Sequence, residues 1–129
     1  MKTAVLIMKR VSLAQGLMEK AASSSDLRLV YETDYTRAEQ MIRRHDAYAV
    51  LLEITESNAC SSSYCLNLCA WLRTAVPQCK LLLMCPETNE DAVRTVIQAK
   101  RNGRIDDFVF YDASMKYLLT LLRAAAPKP

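Results

Sequence analysis

Glycine is nearly missing: the chain of 129 residues has two, Gly16 and Gly103. A phosphate-cradling loop needs several together, and "KRVSLAQG", which follows the first apolar run, has no glycine cluster and only Ser12 as a hydroxyl. Histidine is as scarce. With His45 alone and no C-x-x-C spacing, the ordinary zinc sites lack ligands. Long apolar runs are also missing, since "YAVLLEI" and "KLLLMC" are strand-length where a membrane span needs about 20 residues. The N-terminus lacks the layout of a signal peptide, so a cytoplasmic location is expected. The net charge of +3 is mild and its cations are dispersed. Nucleic-acid binding is therefore not indicated for this domain, and no helix-turn-helix follows residue 123.

Cysteine is present in an odd number, at Cys60, Cys65, Cys69, Cys79 and Cys85. In a reducing compartment such a set reads as buried thiols rather than a disulfide frame. Cys65 and Cys69 stand i, i+4 on an expected helix, but no histidine joins them, and they read as small apolar residues facing a core. Cys85 ends a strand, where a nucleophile would sit. Its only candidate base, His45, falls at the end of the second helix on the far side, so a cysteine enzyme is not supported.

What remains is a balanced globular composition, 51% apolar and 24% charged. One domain over residues 1–129 is expected, with its core at about 3–124. Short apolar runs alternate with longer segments of helical period. Strands are expected at 3–8, 28–32, 48–54, 80–85 and 107–111. Ser12 is placed to cap the first helix, Asp34 or Thr36 the second, Asn89 the fourth and Ser114 the fifth; "YCLNLCAWLRTAV" supplies the third, after a polar loop at 55–63. Gly103 marks a left-handed end to the fourth helix. Five strands alternating with five helices give a three-layer α/β/α sandwich. Right-handed crossovers favour the flavodoxin-like parallel sheet of order 2-1-3-4-5.

Three pieces then carry a resemblance over essentially the whole chain. "AKRNGRIDDFVFYD", residues 99–112, is similar to the Gly-Ala-Asp-Asp-Phe-Leu-Val-Lys-Pro run of response-regulator receiver domains of the CheY-like type. "AVLLEIT" resembles their third strand, which ends in the phosphorylated aspartate, and "CLNLCAWLR" resembles the helix after it. The resemblance implies a phosphorelay switch of a two-component system. Its reacting positions have all changed type. Lys9 and Arg10 stand where two acidic residues hold magnesium, Glu53 where the acceptor aspartate stands, Cys85 for the hydroxyl residue and Tyr111 for the lysine, with Asp112 for proline. Only Phe108, at the aromatic switch position, is of the expected kind. The implied protein is a degenerate pseudo-receiver, not an enzyme and without a cofactor or metal, that acts on an unidentified protein partner.

Two further expectations follow. If Lys9 or Arg10 turns inward, it meets Glu53 in an ion pair that either holds one switch state or merely neutralises itself at a wet loop edge. In the family, the face of helix 4, strand 5 and helix 5 docks partners and dimers. The fourth helix here is about one turn longer than usual, and Arg94, Lys100, Arg101 and Arg104 with Tyr111, Met115, Tyr117 and Leu118 suggest a homodimer through that face. The reading from a different class is a flavodoxin-like domain holding a small anion near Lys9, Arg10 and Ser12.

Overall fold

Leu81, Leu82 and Leu83 are each no more than 1% exposed, which requires helices on both faces of the strand that carries them. The computed structural model describes residues 2–55 and 61–127 and meets that requirement. Strands β1 (Lys2–Ile7), β2 (Leu27–Glu32), β3 (Ala49–Glu53), β4 (Lys80–Cys85) and β5 (Asp107–Phe110) form one sheet in the order β2-β1-β3-β4-β5. Every neighbouring pair is parallel. Between them run α1 (Val11–Ala22), α2 (Ala38–His45), α3 (Ser62–Ala75) and α4 (Glu90–Arg101), with α5 (Met115–Ala124) last. The expected topology is observed, and each strand lies within two residues of its expected bounds.

Alternation along the strands splits the core in two. Val5, Ile7, Val50, Leu52, Leu81 and Leu83 face α2, α3 and α4, joined by Cys65, Cys69, Cys79 and Cys85. Ala4, Leu6, Leu51, Leu82 and Met84 face α1 and α5. Burying each leucine side chain contributes roughly 1.5–3 kcal/mol before the entropic cost of ordering it. Leu118 is 1% exposed and part of the second cluster, so it is core and not the interface residue expected from sequence. Met115 is half-buried, and its Cε lies 2.7 Å from where a Cβ on Gly16 would stand, so it fills the α1–α5 seam rather than an outer surface.

Most helix ends follow the sequence. Asn89 caps α4 through Ala92 N–H and Ser114 caps α5 through Tyr117 N–H. Gly103 has φ +75° and ends α4 as expected. Asp34 caps a single 3-10 turn, Tyr35–Arg37, that leads into α2. The first helix differs. Its N-cap is Arg10, without a side-chain cap bond, and Ser12 lies inside the first turn. The expected loop at 55–63 is shorter than its polar sequence implies, because Ser61 caps α3 and Ser62 already belongs to it. Residues 56–60 of that loop, Cys60 included, lie outside the described residues. Among the described residues no helix is long and apolar enough to cross a membrane.

Asp106 pins the entry to β5. Its Oδ2 accepts from Leu81 N–H at 2.8 Å and from Arg73 Nη1 at 3.0 Å, tying α3 to the sheet edge. Burial opposes its ionisation, but the Leu81 amide and the Arg73 guanidinium outweigh that and hold its carboxyl below the usual value. A depressed folded-state pKa gives stability that is fully present above the unfolded value of about 3.9 and is lost as pH falls through the folded value. The Asp106→Asn variant is therefore expected to be less stable than the parent at neutral pH, with the gap closing below about pH 4. Urea midpoints measured across that range check it; a gap independent of pH overturns it.

Candidate functional site

The C-terminal ends of β1, β3, β4 and β5 meet where open α/β sheets place their chemistry. Among the described residues, Glu53 there is the only charged residue that is buried, at 2% exposure. A carboxylate so placed has to be compensated. Oε1 accepts from the backbone N–H of Lys9 at 2.7 Å and of Arg10 at 3.3 Å, and Oε2 takes Arg10 Nε at 2.7 Å. Arg10 thus turns inward, as one branch of the sequence reading required.

Arg10 is itself clamped. Its guanidinium carbon lies 4.2 Å from the centroid of the Tyr111 ring, and Nη2 contacts Met84 Sδ at 2.8 Å. The Tyr111 hydroxyl donates to Ile54 O, and burial followed by the Glu53 charge pushes its phenol up, so it stays neutral. On the other side Tyr35 OH donates to Glu53 O. Two tyrosines therefore cap the carbonyls of the last residue of β3 and of the residue after it. Lys9 sends its side chain away from Glu53, donating Nζ to Thr33 O at 2.9 Å with Nζ 5.4 Å from the Tyr35 centroid.

The remaining expected residues do not touch the Glu53 carboxylate. Cys85 and Phe108 lie on the α4 face. The Cys85 thiol is fully buried and pushed up to about 11, first by burial and then by Glu87, which removes it as a nucleophile at neutral pH. Phe108 stacks edge-to-face on Phe110 at 5.6 Å, with Lys100 Nζ 5.9 Å from its ring. Burial likewise pushes Cys69 and Cys79 up to about 12. Sequence reasoning missed Met84 and Tyr35. The pairing of Glu53 with Met84 follows only from register, and the reach of Tyr35 only from the turn it sits on.

These residues do not fit magnesium. The ion wants carboxylate and water oxygens, whereas the positions that would supply carboxylates hold Lys9 and Arg10, and both Glu53 oxygens are engaged. A fixed cation opposes each unit of metal charge by about 4 kcal/mol at ~4 Å and an effective dielectric near 20. The anion expected near Lys9, Arg10 and Ser12 is supplied by the chain itself, as Glu53. Ser12 is exposed and takes no part.

Removing one partner of a buried pair costs about 3–5 kcal/mol, and the 40% exposure of the Arg10 side chain lowers that here. Arg10→Ala is expected to destabilise the fold by about 2–3 kcal/mol, with Arg10→Lys in between because it keeps charge without the planar stack. Urea unfolding measures both. A loss under about 1 kcal/mol for Arg10→Ala means the pair only neutralises itself at a wet edge.

No protein-family model matches the chain, and no curated protein matches it. Solved structures do. The receiver domain of a two-component response regulator from Bacteroides fragilis superposes with a TM-score of 0.75 at 14% identity, over 100% of this chain and 99% of that one. A CheY-like protein from Pseudomonas aeruginosa gives 0.72 at 16% identity, over 98% and 100%. An adenylate cyclase from Rhodopirellula baltica gives 0.79 at 14% identity, over 96% and 86%. At such identities the likeness is one of architecture: the chain has the flavodoxin-like fold of CheY-like receiver domains.

Proposed function

We propose that this chain is a receiver-like signalling domain of the two-component type that is not phosphorylated and works by binding protein. The observation that carries the reading is the full engagement of Glu53 by Lys9 N–H, Arg10 N–H and the Arg10 guanidinium. Phosphoryl transfer needs a free acceptor oxygen in line with the donor and a metal to gather the phosphoryl charge. Neither is compatible with that arrangement. The high thiol pKa values leave no alternative nucleophile among Cys69, Cys79 and Cys85, so a binding role is preferred to a catalytic one.

The binding face proposed is α4, β5 and α5. β5 ends the sheet and carries the half-buried Phe108 and Phe110, while α4 exposes Ile97 (36%) and α5 exposes Tyr117 (50%). Along α4 the charges are sorted: Glu90 and Asp91 in the first turn, Lys100 and Arg101 in the last. A two-fold contact that runs two copies of α4 antiparallel sets acidic ends against basic ones, which favours a homodimer. Arg94 is already paired with Asp91 and Lys100 with Asp107, so these form a rim, and Tyr117 is the apolar anchor.

Titration with magnesium and beryllofluoride, followed by amide shifts of Glu53, Cys85, Phe108 and Tyr111, is expected to give no saturable response. Saturable shifts that require magnesium return the chain to the phosphorylated receivers. Light scattering at increasing concentration is expected to show a dimer that Tyr117→Asp dissociates by at least about tenfold. A strict monomer at millimolar concentration removes the homodimer and leaves the face to another partner.

A further inference from the structure

The opposite edge of the sheet, where the strands begin, holds a cleft of about 600 Å3, separate from the Glu53 pocket. That volume lies within the range of small-molecule sites. Its lining includes Lys2 of β1 and Lys80 of β4, with Tyr48 and Ala125. Lys2 and Lys80 continue the alternation of Ala4 and Leu82, so both side chains leave the sheet on the α1 and α5 face. Ala4 is in register with Ala49, and Ala49 with Lys80. Two strand spacings and a two-residue offset then put the Lys2 and Lys80 Cα atoms about 12 Å apart, a span that two extended lysine arms close around one anion.

Cations at this edge have an ordinary employment, which is to cap the carbonyl ends of helices. That work is already done by others. Leu122 O takes the Tyr48 hydroxyl, Ala75 O takes Arg43 Nη2, and Gly103 O takes Arg73 Nη2. The charge of Arg73, which also lines the cleft, is cancelled by Asp106. Among the described residues neither Lys2 nor Lys80 makes a side-chain hydrogen bond or an ion pair within 4 Å; the Asp106 carboxylate feels the Lys80 charge but is held by Arg73 and the Leu81 amide. The side of the cleft toward α2 and α3 is different in kind. There Asp46, the C-cap of α2 at a left-handed φ of 48°, and Gln78, which follows α3, offer a carboxylate and an amide.

We propose that this cleft binds a small phosphate monoester with a hydroxylated body. The phosphate lies between Lys2 and Lys80, and the hydroxyls donate to Asp46 and exchange hydrogen bonds with Gln78. A bare anion uses only one side of the cleft and meets the Asp46 carboxylate unscreened; an ester with hydroxyls satisfies both sides.

The test titrates the whole chain with ribose 5-phosphate at low ionic strength, following amide shifts of Thr3, Ala47, Tyr48 and Gln78, with inorganic phosphate as the comparison. Saturable shifts are expected, weakened at least about tenfold by Lys2→Gln with Lys80→Gln and unchanged by Lys116→Gln, an exposed α5 cation outside the cleft. Both mutated lysines are exposed, so the fold survives the substitutions. Shifts that fail to saturate, or an affinity unaltered in the double variant, overturn the site. Inorganic phosphate binding as tightly as the ester overturns the hydroxylated ligand.

Discussion

A carboxylate with almost no contact with water sits at the point where four strands end, and the chain is arranged to make that tolerable. Glu53 lies in register with Met84 and takes its donors from the turn after β1. Arg10 closes the arrangement by reaching from β1 to the Glu53 carboxylate of β3, the Met84 sulfur of β4 and the Tyr111 ring just beyond β5. An isolated carboxylate in such a place would protonate or drag water in. Here each of its oxygens has a donor at 2.7 Å, so the carboxylate is compensated and the strand ends are tied together.

That constraint explains local choices that look arbitrary alone. α1 begins at Val11 with Arg10 as its cap residue because the Lys9 and Arg10 amides are committed to Glu53, so the chain turns into the helix immediately after them. A tyrosine at 111 suits the position better than a lysine: its ring accepts the guanidinium face and its hydroxyl satisfies Ile54 O, whereas a second cation beside Arg10 would repel it. The apolar layers beneath are indifferent to this chemistry. They depend on the alternation that sends Leu82 to one face and Leu83 to the other.

The architecture was legible because buried parallel strands read as unbroken apolar runs, and because Asn89, Ser114 and Gly103 carry local backbone chemistry that tertiary contacts did not override. Ser12 misled for the opposite reason, since a long-range bond to Glu53 fixes where α1 starts. Leu118 misled because the phase of α5 against the sheet decides which of its leucines is covered, and nothing within "SMKYLLTLLRAAA" states that phase. Arg10 and Glu53 could be paired from sequence once both were placed at one sheet edge. The Tyr111 stack, the Met84 contact and the placement of Cys85 and Phe108 on the α4 face needed the register. The basal cleft left no trace at all, since Lys2, Asp46 and the Gln78–Lys80 stretch come from three segments that share only the start of a strand or the end of a helix.

A switch needs two states and a ligand that distinguishes them by several kcal/mol; moving an equilibrium from 1:99 to 99:1 takes about 5.5 kcal/mol of differential affinity. In a phosphorylated receiver that difference comes from a new charge at the acceptor. At this edge the Glu53 carboxylate is already paired with Arg10, so on the proposed reading no event here supplies the difference. Two sources of bias then remain in the fold. One is partner concentration acting at the exposed edge of β5. The other is a ligand at the opposite end of the sheet, where Lys80 opens the same β4 strand whose far end carries Met84 against Arg10. A strand buried on both faces moves as a unit, so a ligand drawn to its first residue and the ion pair braced by its fifth share one rigid element.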